Sequence, residues 1–114
     1  PDQIWDALGQ IDILLLPVDD SQHVMSFPHA ESIIERLQPR GIVPHHYYIF
    51  DVTVRQSTLQ SADPWVTQQG KKARWLDSPT VIYRREEIAD LQARVDFFGD
   101  HVAFDKAHWH REGA

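Results

Sequence analysis

The sequence predicts an α/β fold organised around a strand–helix–strand unit, and three observations predict it. Residues 11–18 form an apolar run broken only by Asp12 and rich in Ile, Leu and Val. Such runs form strands covered on both faces, as in parallel sheets. Residues 30–37 then place Ile33, Ile34 and Leu37 on one stripe, with Glu31, Glu35 and Arg36 toward solvent, the pattern of an amphipathic helix. Gly41-Ile42-Val43 opens a second apolar run that ends in Pro44-His45-His46. The crossover between the runs is long enough for a right-handed βαβ unit.

The remaining elements follow in chain order. Ile4, Trp5 and Leu8 are spaced for a short helix closed by Gly9, whose conformational freedom suits a helix end. Asp19, Asp20 and Ser21 form a polar loop with His23 beside it. The central helix starts near Ser26 or Pro28 and stops at Pro39, because proline lacks the N–H that would continue it. Asp63 caps a helix over 65–69, with Pro64 in its first turn and Gly70 at its end. Residues 71–76 and 80–83 are two short strands joined by a turn at Asp77-Ser78-Pro79. A helix begins at Arg85, and residues 91–95 continue it or leave it. Phe97, Phe98, Val102 and Phe104 supply late apolar material. One domain over 1–104 and a polar tail over 105–114 are expected.

Composition narrows the function classes. The chain of 114 residues is 42% hydrophobic and 25% charged, the balance of a globular domain with its own core. Its net charge of −6 disfavours non-specific nucleic-acid binding, which needs a basic surface. There is no cysteine, hence no disulfide framework, thiolate metal site or cysteine nucleophile. No apolar run approaches the roughly 20 residues that span a bilayer. No Gly-rich phosphate loop and no Gly-x-Ser-x-Gly elbow occurs. A cytoplasmic location is expected, with no nucleic-acid or membrane partner. Because the first residue is Pro1 and the chain enters the first strand almost at once, it is expected to be a piece of a longer protein.

The groups able to do chemistry gather after the two apolar strands. A parallel strand that delivers imidazole at its carboxyl end is how open α/β sheets place ligands in a crevice, and neutral imidazole is the commonest side-chain metal ligand. His45 and His46 occupy that position, and Tyr47 and Tyr48 follow them. Each tyrosine either orients a substrate or is a half-buried aromatic with a wetted hydroxyl. Asp19 and Asp20 close the first strand, as cation ligands or as turn and cap residues. His23 and His29 flank the loop before the helix, where they line a site or are solvated. Asp12, early in a buried strand, should bond to backbone or an arginine, because an unpaired buried carboxylate is costly. His108-Trp109-His110 has a chelating spacing but no third ligand near it.

The series Asp12-Ile13-Leu14-Leu15-Leu16-Pro17, a helix ending Leu37-Gln38-Pro39, and Ile42-Val43-Pro44-His45-His46-Tyr47 resembles the C-terminal part of a metallo-β-lactamase-fold hydrolase. The branch it resembles is that of the ascorbate-6-phosphate lactonases. The likeness is specific over 12–48 and looser up to about 83. It implies one half of an αββα sandwich, a mixed sheet with flanking helices. By position it makes His46 the last histidine ligand of a two-zinc site, with His45 on a variable position. The candidate site-lining residues are His45, Tyr47, Asp19, Asp20 and His23. Zinc takes histidine nitrogen at about 2.0–2.1 Å and polarises the groups it binds.

The family's main signature, His-x-His-x-Asp-His, occurs nowhere in this sequence. The expectation is therefore the C-terminal portion of a zinc hydrolase acting on a lactone, ester or phosphoester, inactive as this isolated chain. The alternative is a non-catalytic binding or assembly module that associates through its exposed half-fold surface. The expected partners are a second copy of the chain or the remainder of the parent fold, and a small-molecule substrate if the site is complete.

Overall fold

The computed structural model describes residues 2–21, 24–50 and 57–101. Helix α1 (Asp2–Leu8) ends at Gly9, whose φ of 63° is the left-handed conformation glycine adopts without strain. Strand β1 (Ile13–Pro17) leads through the Asp19 loop to α2 (Phe27–Leu37) and then to β2 (Gly41–His45). Helix α3 (Asp63–Gln68), a 3-10 turn (Gly70–Lys72), β3 (Ala73–Trp75), α4 (Arg85–Ile88) and β4 (Arg94–Phe97) complete the described chain. Among the described residues no helix is long and apolar enough to cross a membrane.

The four strands form one sheet in the order β1-β2-β4-β3. All three described strand pairs are parallel, so this half of the fold is more uniform than the mixed sheet expected. The reason is connectivity: every strand is reached by a crossover rather than a hairpin. Register puts Leu14, Leu16, Ile42, Val95, Phe97, Ala73 and Trp75 on one face. They pack there with Ala30, Ile33 and Ile34 of α2 and with Trp65 and Val66 of α3. Trp65, Phe97, Ile42 and Val95 lie fully inside.

Helix α2 confirms its sequence pattern closely. Ser26 Oγ accepts from His29 N–H at 3.2 Å, Pro28 sits in the first turn, and Gln38 closes the helix with φ 49°. Its termini are therefore satisfied locally, as helix ends require.

Three readings of the sequence differ from the structure, and one left open, that of residues 91–95, is resolved. Asp63 is the first residue of α3 rather than its cap, and Ser61 Oγ accepts the Asp63 N–H at 3.1 Å. Residues 80–83 form no strand; Tyr83 instead lies over the second face of the sheet, its hydroxyl donating to Asp96. Residues 91–95 do not extend α4: Ala93 turns left-handed at φ 54° and Arg94 starts β4. Asp12 is exposed just before β1, and its carbonyl accepts the Gly41 N–H at 2.8 Å.

β4 owes its place between β2 and β3 to alternation. Val95 and Phe97 enter the core, while Arg94 and Asp96 point to the second face. There Asp96, fully buried, meets the Arg74 guanidinium, Arg94 Nη2 at 3.2 Å and Tyr83 Oη at 2.5 Å. Gly41 lies under the same cover. A Cβ there would stand 2.8 Å from Ile13 Cδ1 and 3.8 Å from Tyr83 Cε1, so a side chain would force β1 or its isoleucine to move. Beyond the Tyr83 cover, Leu15 and Ile82 are 64% and 68% exposed.

Candidate functional site

The carboxyl ends of β1, β2 and β4 converge on one group of loops. Val18 N–H donates to the His45 carbonyl at 3.0 Å, which extends the β1–β2 ladder past the ends of the strands. Gln60 then bridges the two loops: its N–H donates to Asp19 O at 2.9 Å and its carbonyl accepts from Tyr48 N–H at 3.1 Å. From β4 the chain brings Gly99 and Asp100 beneath them. Tyr47 Oη donates to Gly99 O at 2.7 Å, Phe50 N–H to Asp100 O at 2.9 Å, and Ser61 Oγ to Asp100 Oδ2 at 2.7 Å.

Asp19 and His46 are the chemical centre of this group. Asp19 is fully buried. Its Oδ1 accepts the backbone N–H groups of Ser21 at 3.1 Å and Met25 at 3.2 Å. Its Oδ2 lies 3.1 Å from His46 Nδ1. An ionised carboxylate can only accept, so Nδ1 is the donor, and in the neutral ring Nε2 carries the lone pair. The His46 side chain is 48% exposed. Its backbone is left-handed at φ 55°, uncommon for a residue with a Cβ, and the turn ends β2 just where the ring meets Asp19.

The other expected residues take different places. His45 is exposed at the last position of β2. Asp20, adjacent to Asp19, faces the helix instead: with φ 48° it accepts the Phe27 N–H at 3.1 Å and so supports the start of α2. Tyr47 is buried beneath the site, its ring 5.1 Å from that of Phe97. Burial, with the Asp100 carboxylate second, raises its pKa, so the hydroxyl remains a donor to Gly99. His23 and the His108/His110 pair lie outside the described residues. His29 is exposed in the first turn of α2.

Gln60, Ser61 and Asp100 are members of the network that sequence reading did not select. None carries a motif, and each is tied to the site through a strand end or loop distant in sequence. The Gly99-Asp100-His101 triplet was the available signal, had β4 been read as a strand. Asp100 stands between Ser61 and the loop, with His101 Nε2 at 3.7 Å from its Oδ1.

His46 suits a metal as a single ligand, since its inner nitrogen is anchored and its outer nitrogen keeps an unshared pair. Among the described residues there is no group of three or more His, Asp or Glu able to hold an ion. The described residues thus offer His46 as a single candidate ligand and no complete metal centre.

No protein-family profile and no curated protein sequence matches this chain. The fold is similar to a crystal structure from Thermotoga maritima, a proposed zinc-dependent hydrolase of the metallo-β-lactamase superfamily. The two superpose with a TM-score of 0.62 at 18% identity, over 85% of this chain and 45% of the other. The chain therefore has a metallo-β-lactamase-like half fold and spans about half the length of that neighbour.

Proposed function

We propose that this chain is the C-terminal portion of a metal-dependent hydrolase acting on a lactone, ester or phosphoester, in which His46 Nε2 is one zinc ligand. The observation that carries the reading is the Asp19–His46 pair at 3.1 Å. Metal-bound histidines commonly donate their second ring nitrogen to a carboxylate, which sets the tautomer and raises the basicity of the ligating nitrogen. Zinc, when bound, would act as a Lewis acid toward the substrate oxygen. The chain's own residues would hold the ligand. The two N–H groups on Asp19 Oδ1 fix the carboxylate, Asp19 Oδ2 fixes the imidazole, and Tyr47 ties the backbone after His46 to the β4 loop. The remaining ligands are proposed to come from outside this chain, since it lacks His-x-His-x-Asp-His. The ascorbate-6-phosphate lactonase branch and a cytoplasmic location rest on the sequence resemblance and composition.

The test is made on the full-length gene product. It should carry zinc and hydrolyse a lactone, ester or phosphoester, and His46→Ala should release metal while leaving the chain folded. A full-length product without the His-x-His-x-Asp-His segment and without zinc overturns the reading.

A second reading is an assembly module, favoured by the second face of the sheet. Leu15, in the middle of edge strand β1, is 64% exposed and Ile82 is 68% exposed. An apolar side chain exposed on an edge strand, as Leu15 is, favours association with a second copy. The isolated chain should sediment as a dimer at high micromolar concentration, and Leu15→Glu should convert it to monomer. A monomeric parent chain rejects this reading.

A further inference from the structure

The amino-terminal end of the sheet, opposite His46, carries a cleft of about 370 Å³ lined by Gln10, Gln38, Arg40, Lys72 and Gln92, with Pro39, Leu91 and Ala93 between them. Its members come from the entrances to all four strands. Gln10 precedes β1, Arg40 immediately precedes β2, Lys72 precedes β3, and Gln92 precedes β4. The cleft is open to solvent and mostly polar, which suits a small charged ligand rather than an apolar one.

The charge of the lining is its distinguishing property. The chain as a whole has 17 acidic and 11 basic side chains. Among the residues that line the cleft there are two cations, three carboxamides and no carboxylate. The walls are also held in place. Arg40 Nη1 donates to Ala89 O at 2.7 Å, which steadies the guanidinium and leaves other N–H donors uncommitted to that bond. Gln10 Nε2 donates to Ile11 O at 2.9 Å and to Gln38 O at 3.3 Å. Ala93 N–H donates to Pro39 O and Arg94 N–H to Arg40 O, each at 3.1 Å. Gln38 and Ala93 both turn left-handed to shape the rim.

We propose that this cleft binds a small multivalent oxyanion, a phosphate ester or a polycarboxylate, between Arg40 and Lys72. Guanidinium supplies a planar set of donors to oxyanions, and the lysine ammonium adds a mobile point charge. The exposed Gln92 carboxamide offers a further N–H contact without adding negative charge, whereas Gln10 is committed to Ile11 O and Gln38 O and Gln38 donates to Glu35 O. The site is separate from Asp19 and His46, at the other end of the same strands, and it does not depend on a metal.

The experiment titrates inorganic phosphate and, separately, citrate into the isotope-labelled full chain at low ionic strength, followed by amide chemical shifts. Saturable shifts are expected at residues 38, 40, 72 and 91–93, with a dissociation constant of about 1 mM or tighter. Added sodium chloride should weaken binding, because the contacts are partly exposed charges. Lys72→Gln should weaken it roughly fivefold or more, the loss of one partly screened charge contact. Gln92→Glu, at an exposed loop position, should weaken it as well by introducing a repelling carboxylate. Phosphate saturating where citrate does not identifies a phosphate ester, and the converse a polycarboxylate. Linear shifts with neither ligand saturating, shifts centred on His45 and His46, or variants that bind like the parent overturn the proposal.

Discussion

Asp19 and Asp96 are both fully buried carboxylates, and they are satisfied in opposite ways. Asp96 is met by two guanidinium groups and a phenol, so its charge is answered by charge. Asp19 is met by two backbone N–H groups and one imidazole, with no arginine or lysine among its partners in the described residues. The first arrangement ends at the carboxylate. The second passes polarity outward: anchoring Nδ1 of His46 leaves Nε2 as the acceptor on a half-exposed ring. A buried acid ringed by cations is a structural clasp. A buried acid behind an imidazole can prepare a ligand.

The comparison breaks most sharply at Asp96. Asp96→Asn keeps the side-chain volume but leaves two guanidinium groups without their counter-ion, and it should cost about 3 kcal/mol in urea unfolding. That is the low end for breaking a buried ion pair, because Arg74 is half exposed. A loss below about 1 kcal/mol, the range of surface pairs, would show that the cluster is solvated.

Asp19→Asn tests the other arrangement and should cost less, about 1–2 kcal/mol, since the N–H cradle keeps an oxygen acceptor. That cradle also dictates how the amide sits. Its oxygen stays with Ser21 and Met25, so its NH₂ faces His46 Nδ1 and donates. The ring is then driven to the Nε2–H tautomer, with no lone pair on its outer nitrogen. Nitrogen chemical shifts of His46 should report the switch. Under the proposed zinc-ligand role of His46, the zinc affinity of the full-length protein should fall about 10–100-fold. An unchanged tautomer contradicts the assigned role of Asp19.

Tyr83→Phe removes one bond to Asp96 and should cost about 1 kcal/mol. It also carries a pH signature. Burial, followed by the hydrogen bond to Asp96 and the charge of that carboxylate, raises the Tyr83 pKa. Tyr47 is raised too, by burial and Asp100. Above the unfolded phenol pKa of about 10, the unfolded chain releases protons that the folded chain retains. The stabilisation is complete below that pH and declines as pH rises through it. Urea midpoints across the alkaline range should fall less steeply in Tyr83→Phe than in the parent.

The smallest effect on stability is expected at His46. Because its ring is half exposed, His46→Ala should move the folding free energy by roughly 0.5 kcal/mol. A much larger loss would make the Asp19–His46 pair a clasp like that of Asp96.

The legibility of the fold followed the strength of local pattern. α2 was readable because apolar stripe, serine cap and terminating proline agree with one another. β1 and β2 were readable because continuous apolar runs fit strands buried in a parallel sheet. β4 was not, since Arg94-Val95-Asp96-Phe97 alternates over four residues and its charged half looks like solvent-facing helix. Residues 80–83 erred the other way: their β-branched and aromatic content suits a strand, but Tyr83 is recruited across the sheet by Asp96. At the site, the position of His46 was visible from the strand before it. The division of labour between Asp19 and Asp20 was not, because it depends on which carboxylate the α2 approach turns inward.

The sequence by itself determined the strand–helix–strand unit and the delivery of His46 at a strand's carboxyl end. Both arise from periodicity, capping and chain-breaking residues acting over a few positions. Tertiary structure alone decided the parallel placement of β4, the pairing of Asp19 with His46 across 27 residues, the burial of Tyr47 under the β4 loop, and the carboxylate-free cleft at the other end of the sheet. Those outcomes come from burial, which fixes the partners each polar group can still reach once water has been excluded.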